Sequence, residues 1–222
     1  MIAIMAKGTL AHDQRGREPS TTSSPIVADI VDYILSSIHA GEMRPGDRIS
    51  DVKLSLELGV SRTPIREALL RLRELGVVEA SAKLFTRVAK VSPAQTADAY
   101  TVWLALFWAV LEETIGAASH DVLDAMEADR NDFEEGCAVG DAFGTATANF
   151  LLFSRLHAES HNPMLRRSIA SVIYVLRLGT LNLPQGLDLA ALGRAQQLLI
   201  DAVRDHDLSH ARESHTILRT FH

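Results

Sequence analysis

Gly59-Val60-Ser61-Arg62-Thr63-Pro64-Ile65-Arg66-Glu67-Ala68-Leu69-Leu70-Arg71-Leu72 is the stretch that decides how this chain folds. Gly59 can take the backbone conformation that ends a helix, and Ser61 is suited to cap the next one. Ile65, Leu69 and Leu72 recur at helical spacing and form an apolar seam. Arg62 and Arg66 lie four residues apart, so both guanidiniums share one face near the start of the second helix. A helix, a tight turn and a second helix with basic side chains at its N-terminus is the arrangement that enters the DNA major groove.

The neighbouring residues extend this unit in both directions. Upstream, Ile26, Val27, Ile30, Val31, Ile34, Leu35 and Ile38 follow helical spacing from Pro25, and Gly41 ends that helix. Arg44-Pro45-Gly46-Asp47 reads as a turn. Ser50 or Asp51 can cap a short helix to about Leu58, and the next helix runs from Arg62 to about Leu75. Downstream of Gly76, Val77–Ala80 and Thr86–Ala89 alternate like two strands joined by a short loop. The expected unit is a winged helix-turn-helix over residues 25–90, preceded by a flexible polar arm over 1–24.

From Pro93 onward every segment has helical periodicity. Helices are expected over 93–119, 121–139, 141–160, 163–178, 188–205 and 208–221, with breaks at Gly140, Asn162-Pro163 and Pro184–Gly186. The fold class is mainly α: a winged helix-turn-helix followed by an antiparallel bundle of about six helices over 91–222. The linker near Lys90–Pro93 is short, which couples the two parts mechanically.

Charge is unevenly distributed. The chain has a net charge of −6, yet residues 40–90 carry ten Lys/Arg against seven Asp/Glu, and 91–222 carry nine against seventeen. A basic module on an acidic body can still hold phosphates, because the local field decides contact. No apolar run approaches the ~20 residues that span a membrane, and Met1–Met5 is too short for a signal peptide before Lys7. The single Cys137 excludes an internal disulfide framework. A cytoplasmic protein is expected, with no membrane partner. There is no Gly-rich phosphate loop, nucleophile elbow or coherent nucleophile–base pair, so an enzyme is not expected.

Arg62 and Arg66 are the expected base or phosphate contacts, since an Arg fork can engage guanine or clamp a phosphate. Ser61 and Thr63 suit phosphate oxygens at the helix N-terminus. Lys83 and Arg87 on the wing could reach the flanking backbone. Arg71 and Arg73 read as a solvated face with intrahelical Glu partners.

Residues 26–90, through Gly41–Gly46, Ile49-Ser50-Asp51, Leu58–Leu69 and Leu75-Gly76, resemble the GntR family of bacterial regulators. The all-helical remainder is similar to the FCD domain of that family's FadR-type branch. The resemblance implies a homodimer on a short palindromic operator, more commonly a repressor, whose grip changes when a metabolite binds the bundle. It carries DNA contact onto Arg44, Ser61, Arg62, Thr63 and Arg66. Two positions depart from the family pattern. Val52 stands where an Arg is common, with Lys53 beside it as a substitute phosphate contact lacking Arg's fork. The wing loop Ser81–Phe85 has no Gly.

FCD domains commonly hold a divalent metal on one Asp and three His. Alignment places those ligands at Asn149, Phe153, Gln196 and Leu218. Neutral amides are poor ligands for transition metals, and Phe and Leu cannot ligate. The metal is therefore expected to be lost, with no cofactor in its place. His157 and His161, and His206 and His210, share metal-compatible spacing, although helix-surface histidines are the simpler reading. Trp103, Phe107 and Trp108 lie on the first bundle helix, Trp108 where a family member often shows Arg. The expected effector is neutral or hydrophobic, enclosed by Trp108, Phe153 and Leu218 and oriented by Asn149 and Gln196. The alternatives are a filled core that senses nothing, or a bundle kept only for dimerisation or protein interaction.

Overall fold

The computed structural model describes residues 24–81, 85–181 and 186–221; the expected arm over 1–24 falls outside them except for Ser24. The chain opens with α1 (Pro25–His39), α2 (Asp51–Leu58) and α3 (Arg62–Glu74), followed by β1 (Val78–Ser81) and β2 (Phe85–Val88). Then come α4 (Pro93–Thr114), α5 (His120–Val139), α6 (Ala142–Glu159), α7 (Pro163–Gly179), α8 (Leu189–Asp205) and α9 (Leu208–Leu218), closed by a single 3₁₀ turn, Arg219–Phe221. This is the mainly α class expected from the sequence.

Local chemistry explains the boundaries. Gly59 and Gly140 end α2 and α5 in the left-handed conformation, at φ 66° and 74°, which costs glycine little because it has no Cβ. Ser50 Oγ accepts from Lys53 N and caps α2. Ser92 and Gln95 form a reciprocal capping box at the start of α4. Helix α4 stops at Thr114, short of the expected 119, and Ser119 opens the next helix instead: its Oγ accepts from Val122 N and caps α5.

The wing strands are antiparallel, with Val78 opposite Val88 and Glu79 opposite Arg87. Each is displaced by one residue toward the connecting loop from its expected position, β1 starting at Val78 and β2 ending at Val88. A third segment joins them. Ile49 N donates to Thr86 O at 2.8 Å, and Val88 N donates to Asp47 O at 2.9 Å. The Arg44–Asp47 turn thus continues into a short sheet edge that ties the start of α2 to the wing.

Two apolar clusters organise the molecule. In the first, Ile34 of α1, Leu54 of α2, Ile65 and Leu72 of α3 and Val88 of β2 pack together. The second fills the bundle, with Phe107, Met126, Leu152, Leu199 and Leu218 all buried. Helix α4 packs on α7, α5 on α6 and on α8, and α8 on α9. The clusters do not divide at the linker. Leu178, at the end of α7, and Leu181, just past it, belong to the N-terminal core. One bundle helix is therefore built into the winged helix-turn-helix.

Candidate nucleic-acid interface and bundle cavity

On α3, Ile65, Ala68, Leu69 and Leu72 are buried. That seam turns the other face outward, and Ser61, Arg62, Thr63 and Arg66 are exposed, as are Arg44 and Lys53. The side chains of Arg62 and Arg66 are 50% and 64% exposed, yet neither is idle. Asp51 Oδ2 accepts from Arg62 Nη2 at 2.8 Å and from Arg66 Nε at 2.9 Å. Hydrogen bonding from Arg62, the largest cause, holds the Asp51 carboxyl below its ordinary range; burial opposes it, and the bond from Arg66 and the two positive charges add to the lowering. Asp51 is thus a component of the site that the sequence reading treated only as a cap. The signal was its place at the first position of α2, across the turn from α3.

Ser61 stands at the N-cap of α3, but its side chain makes no cap hydrogen bond. The reason lies three residues on. Ser50, Ser92, Ser119, Asp141 and Asp188 each accept from the amide of the third helical residue. In α3 that residue is Pro64, which has no N–H. The expected cap is replaced by a hydroxyl left exposed beside the helix N-terminus.

On the wing, Arg87 Nε donates to Glu79 Oε1 at 2.6 Å, and its guanidinium lies 4.5 Å from the centre of the Phe85 ring. Arg87, expected to reach the flanking backbone, is thus paired within the wing. Lys83 lies outside the described residues.

The bundle contains a cavity of about 460 Å³. Asn149, Phe153 and Leu218, read from the sequence as pocket residues, line it. Gln196 is fully buried behind the wall and donates from Nε2 to Asn149 Oδ1 at 2.9 Å. Trp108 does not line the cavity, which corrects its assignment. Its ring packs 5.4 Å from the His215 ring, with the Arg212 guanidinium 5.7 Å from its centre. Trp103, five residues earlier and so on another side of α4, takes the cavity position.

The residue the sequence reading undervalued is His157. It lines the cavity one turn beyond Phe153. Its Nε2 accepts from Trp103 Nε1 at 3.2 Å, and Phe107 and Phe153 complete an aromatic cluster around Trp103. Burial pushes the imidazole down to about 4, so it is neutral at physiological pH. Two further histidines reach backbone carbonyls: His206 Nδ1 is 3.0 Å from Ile115 O, and His215 Nε2 is 3.0 Å from Leu104 O.

The four positions aligned with metal ligands carry no carboxylate and no imidazole. Asn149 and Gln196 bond to each other, while Phe153 and Leu218 offer only hydrocarbon. Among the described residues no three His, Cys, Asp or Glu side chains converge.

The cavity also touches the linker. Val91, Pro93 and Thr96 line one side, and Ile173, Leu176, Gly179 and Thr180 of the α7 region line another. Between the cavity and the N-terminal core lies buried Arg177. Its Nη2 donates to Thr147 Oγ1 at 2.7 Å, and its guanidinium lies 5.5 and 5.3 Å from the ring centres of Phe143 and Phe150. Burial lowers it to about 10, which still leaves a cation at neutral pH.

Residues 26–88 match the family model of bacterial regulatory proteins, gntR family. The chain therefore carries a gntR-type winged helix-turn-helix. An HTH-type transcriptional regulator from an unstable DNA locus of Streptomyces ambofaciens is 37% identical over 84 residues, covering 38% of this chain and 32% of that protein. A second such regulator, from the TAR-I ttuE-ttuC' intergenic region of Agrobacterium vitis, is 29% identical over 136 residues, or 56% of this chain and 80% of its own length. A solved structure from Rhodococcus sp. RHA1, bearing the name of a GntR transcriptional regulator, superposes with a TM-score of 0.70 at 20% identity, covering 89% of this chain and 94% of that one. The last likeness extends through the helical bundle and concerns the fold. The matched family and these relatives are regulators, not enzymes. Among the described residues, no helix is long and apolar enough to cross a membrane.

Proposed function

We propose that this protein is a transcriptional regulator of the FadR-type branch that grips double-stranded operator DNA with α3. Its FCD-like bundle senses a small, neutral or largely apolar effector without a metal. Arg62 and Arg66 read or clamp the DNA; Ser61, Thr63, Arg44 and Lys53 hold phosphates. Two copies reading a palindromic operator in the cytoplasm, with repression as the output, complete the reading. The observation that carries it is the double engagement of α7. The helix lines the cavity through Ile173 and Leu176 and enters the N-terminal core through Leu178. A ligand that moves α7 therefore moves the frame that holds α3.

The test is fluorescence anisotropy of the full chain on DNA from the upstream region of its own gene. Wild-type protein is expected to bind there better than to random duplex. The Arg62→Ala, Arg66→Ala double variant is expected to lose that binding while keeping its fold by circular dichroism. Equal binding by both proteins would overturn the assignment of α3.

A further inference from the structure

We propose that the bundle cavity takes an uncharged ligand whose largely apolar body carries one accepting oxygen, and that the Nδ1–H of His157 donates to that oxygen. This names the ligand class for the effector pocket proposed above, and rests on that reading.

Three observations lead to it. The first is charge. The described wall contains no Asp, Glu, Lys or Arg, and is built largely from Trp103, Phe150, Phe153, Ile173, Leu176 and Leu218. A carboxylate or ammonium entering it would lose its hydration without gaining a counterion. A volume of about 460 Å³ falls within the range of small-molecule pockets.

The second is the state of the hydroxyls on the wall. Tyr100 donates to Leu218 O at 2.7 Å, Ser154 to Phe150 O at 2.8 Å, Thr180 to Leu176 O at 2.8 Å and Thr96 to Ser92 O at 3.1 Å. Each of these protons is committed to the backbone. None remains to recognise an acceptor on a ligand.

The third is the tautomer of His157. An indole nitrogen can only donate. Because Trp103 Nε1 lies against His157 Nε2, that ring nitrogen must be the bare one. The ring is neutral, so its proton sits on Nδ1. That Nδ1 is buried and has no hydrogen-bond partner in the protein. A buried donor left unpaired is costly, and an oxygen supplied by a ligand removes the cost. Asn149 supports the same polarity, since Gln196 already occupies its Oδ1 and leaves its NH₂ as the remaining group. Trp103 is thus a positioning residue: it selects which His157 nitrogen donates.

The test uses three probes of similar size on the full chain. Benzophenone carries the accepting oxygen; 1,1-diphenylethylene replaces that oxygen with a methylene; diphenylacetate carries a charge. Binding is read by calorimetry and by tryptophan fluorescence. Benzophenone is expected to bind about fivefold to tenfold more tightly than 1,1-diphenylethylene, the worth of one neutral hydrogen bond, and diphenylacetate more weakly than either. His157→Phe should abolish the preference for the ketone while the hydrocarbon still binds. ¹⁵N spectra of the histidine rings check the tautomer independently, should that variant fold poorly: the free protein should show a protonated Nδ1. A ketone and hydrocarbon of equal affinity, a preference that survives His157→Phe, tighter binding of diphenylacetate, or a protonated Nε2 would each overturn the proposal. Absence of binding by all three probes would overturn the effector-pocket reading itself. Hydrocarbon binding without the ketone preference would overturn only the ligand class.

Discussion

Asp51 Oδ2 and Arg66 Nε are 2.9 Å apart, joining the first residue of α2 to the exposed face of α3. The same oxygen also receives Arg62. One carboxylate therefore holds both guanidiniums that the proposed function assigns to DNA. On that proposal the clasp would preorganise their forks and compete with phosphate for them.

Replacing Asp51 with Asn should separate those two roles. Binding to random duplex at low salt is expected to rise several-fold, because two cations lose their internal anion and counterion release dominates nonspecific affinity. Preference for the operator over random DNA is expected to fall, because the forks lose their fixed orientation. Anisotropy on both duplexes at two salt concentrations measures this. An unchanged ratio would rule out a positioning role for Asp51. The folded pKa is depressed, so the carboxylate stays charged at neutral pH. Its contribution is present above the ordinary carboxyl range and disappears as pH falls through the depressed folded value.

The two arginines can be distinguished by how their loss is felt. An arginine that bonds guanine should cost about 1–3 kcal/mol on the operator when changed to Ala, with relaxed preference at one base pair. An arginine that clamps phosphate should weaken every duplex alike and reduce the salt slope by about one. Single variants measured on operator and random duplexes across a salt series assign each role.

Acid stability provides a separate check on His157. Its folded value lies near 4 and its ordinary value at 6.5, so between them the unfolded chain binds more protons. Stability from this site is complete above about 6.5 and is lost as pH falls toward 4. The gap corresponds to about 3 kcal/mol. Chemical denaturation from pH 7.5 to 4.5 should show this component in the wild type and lack it in His157→Phe. Identical pH profiles would show that the imidazole is not buried in neutral form.

Much of this architecture was legible because the helix starts announce themselves. Ser92-Pro93 and Asn162-Pro163 each combine a capping side chain with a proline suited to the first helical position, and Asp141, Asp188 and Asp207 cap their helices with carboxylates. Three of the five proposed pocket residues also line the cavity, because positions aligned to a ligand set inherit its inward orientation. The tryptophans were harder. Trp103 and Trp108 share α4, and which of them faces the cavity depends on how α4 crosses α6, a long-range fact with no local signature. The same holds for α7. Nothing in the periodicity of Pro163–Gly179 indicates that Leu178 leaves the bundle for the N-terminal core. The unused Ser61 cap was legible in principle, since Pro64 removes the required N–H.

Gly179 provides the direct test of α7 as the shared element. It lies at the end of that helix, and a Cβ there would collide with Thr96 Oγ1, with Thr96 Cγ2 at 2.7 Å and Thr96 Cβ at 2.9 Å. Gly179→Ala should force α7 away from the start of α4 and destabilise the protein by about 1–3 kcal/mol, the usual cost of overpacking. Because Leu178 and Leu181 follow α7 into the N-terminal core, operator affinity should fall as well, although no DNA-facing residue has changed. Thr96→Ala removes two of the three colliding atoms, so the double variant should recover part of both losses. A double-mutant cycle on denaturant stability and on operator affinity reads the coupling. Recovery of stability without recovery of affinity would show that α7 supports the bundle but does not transmit to α3.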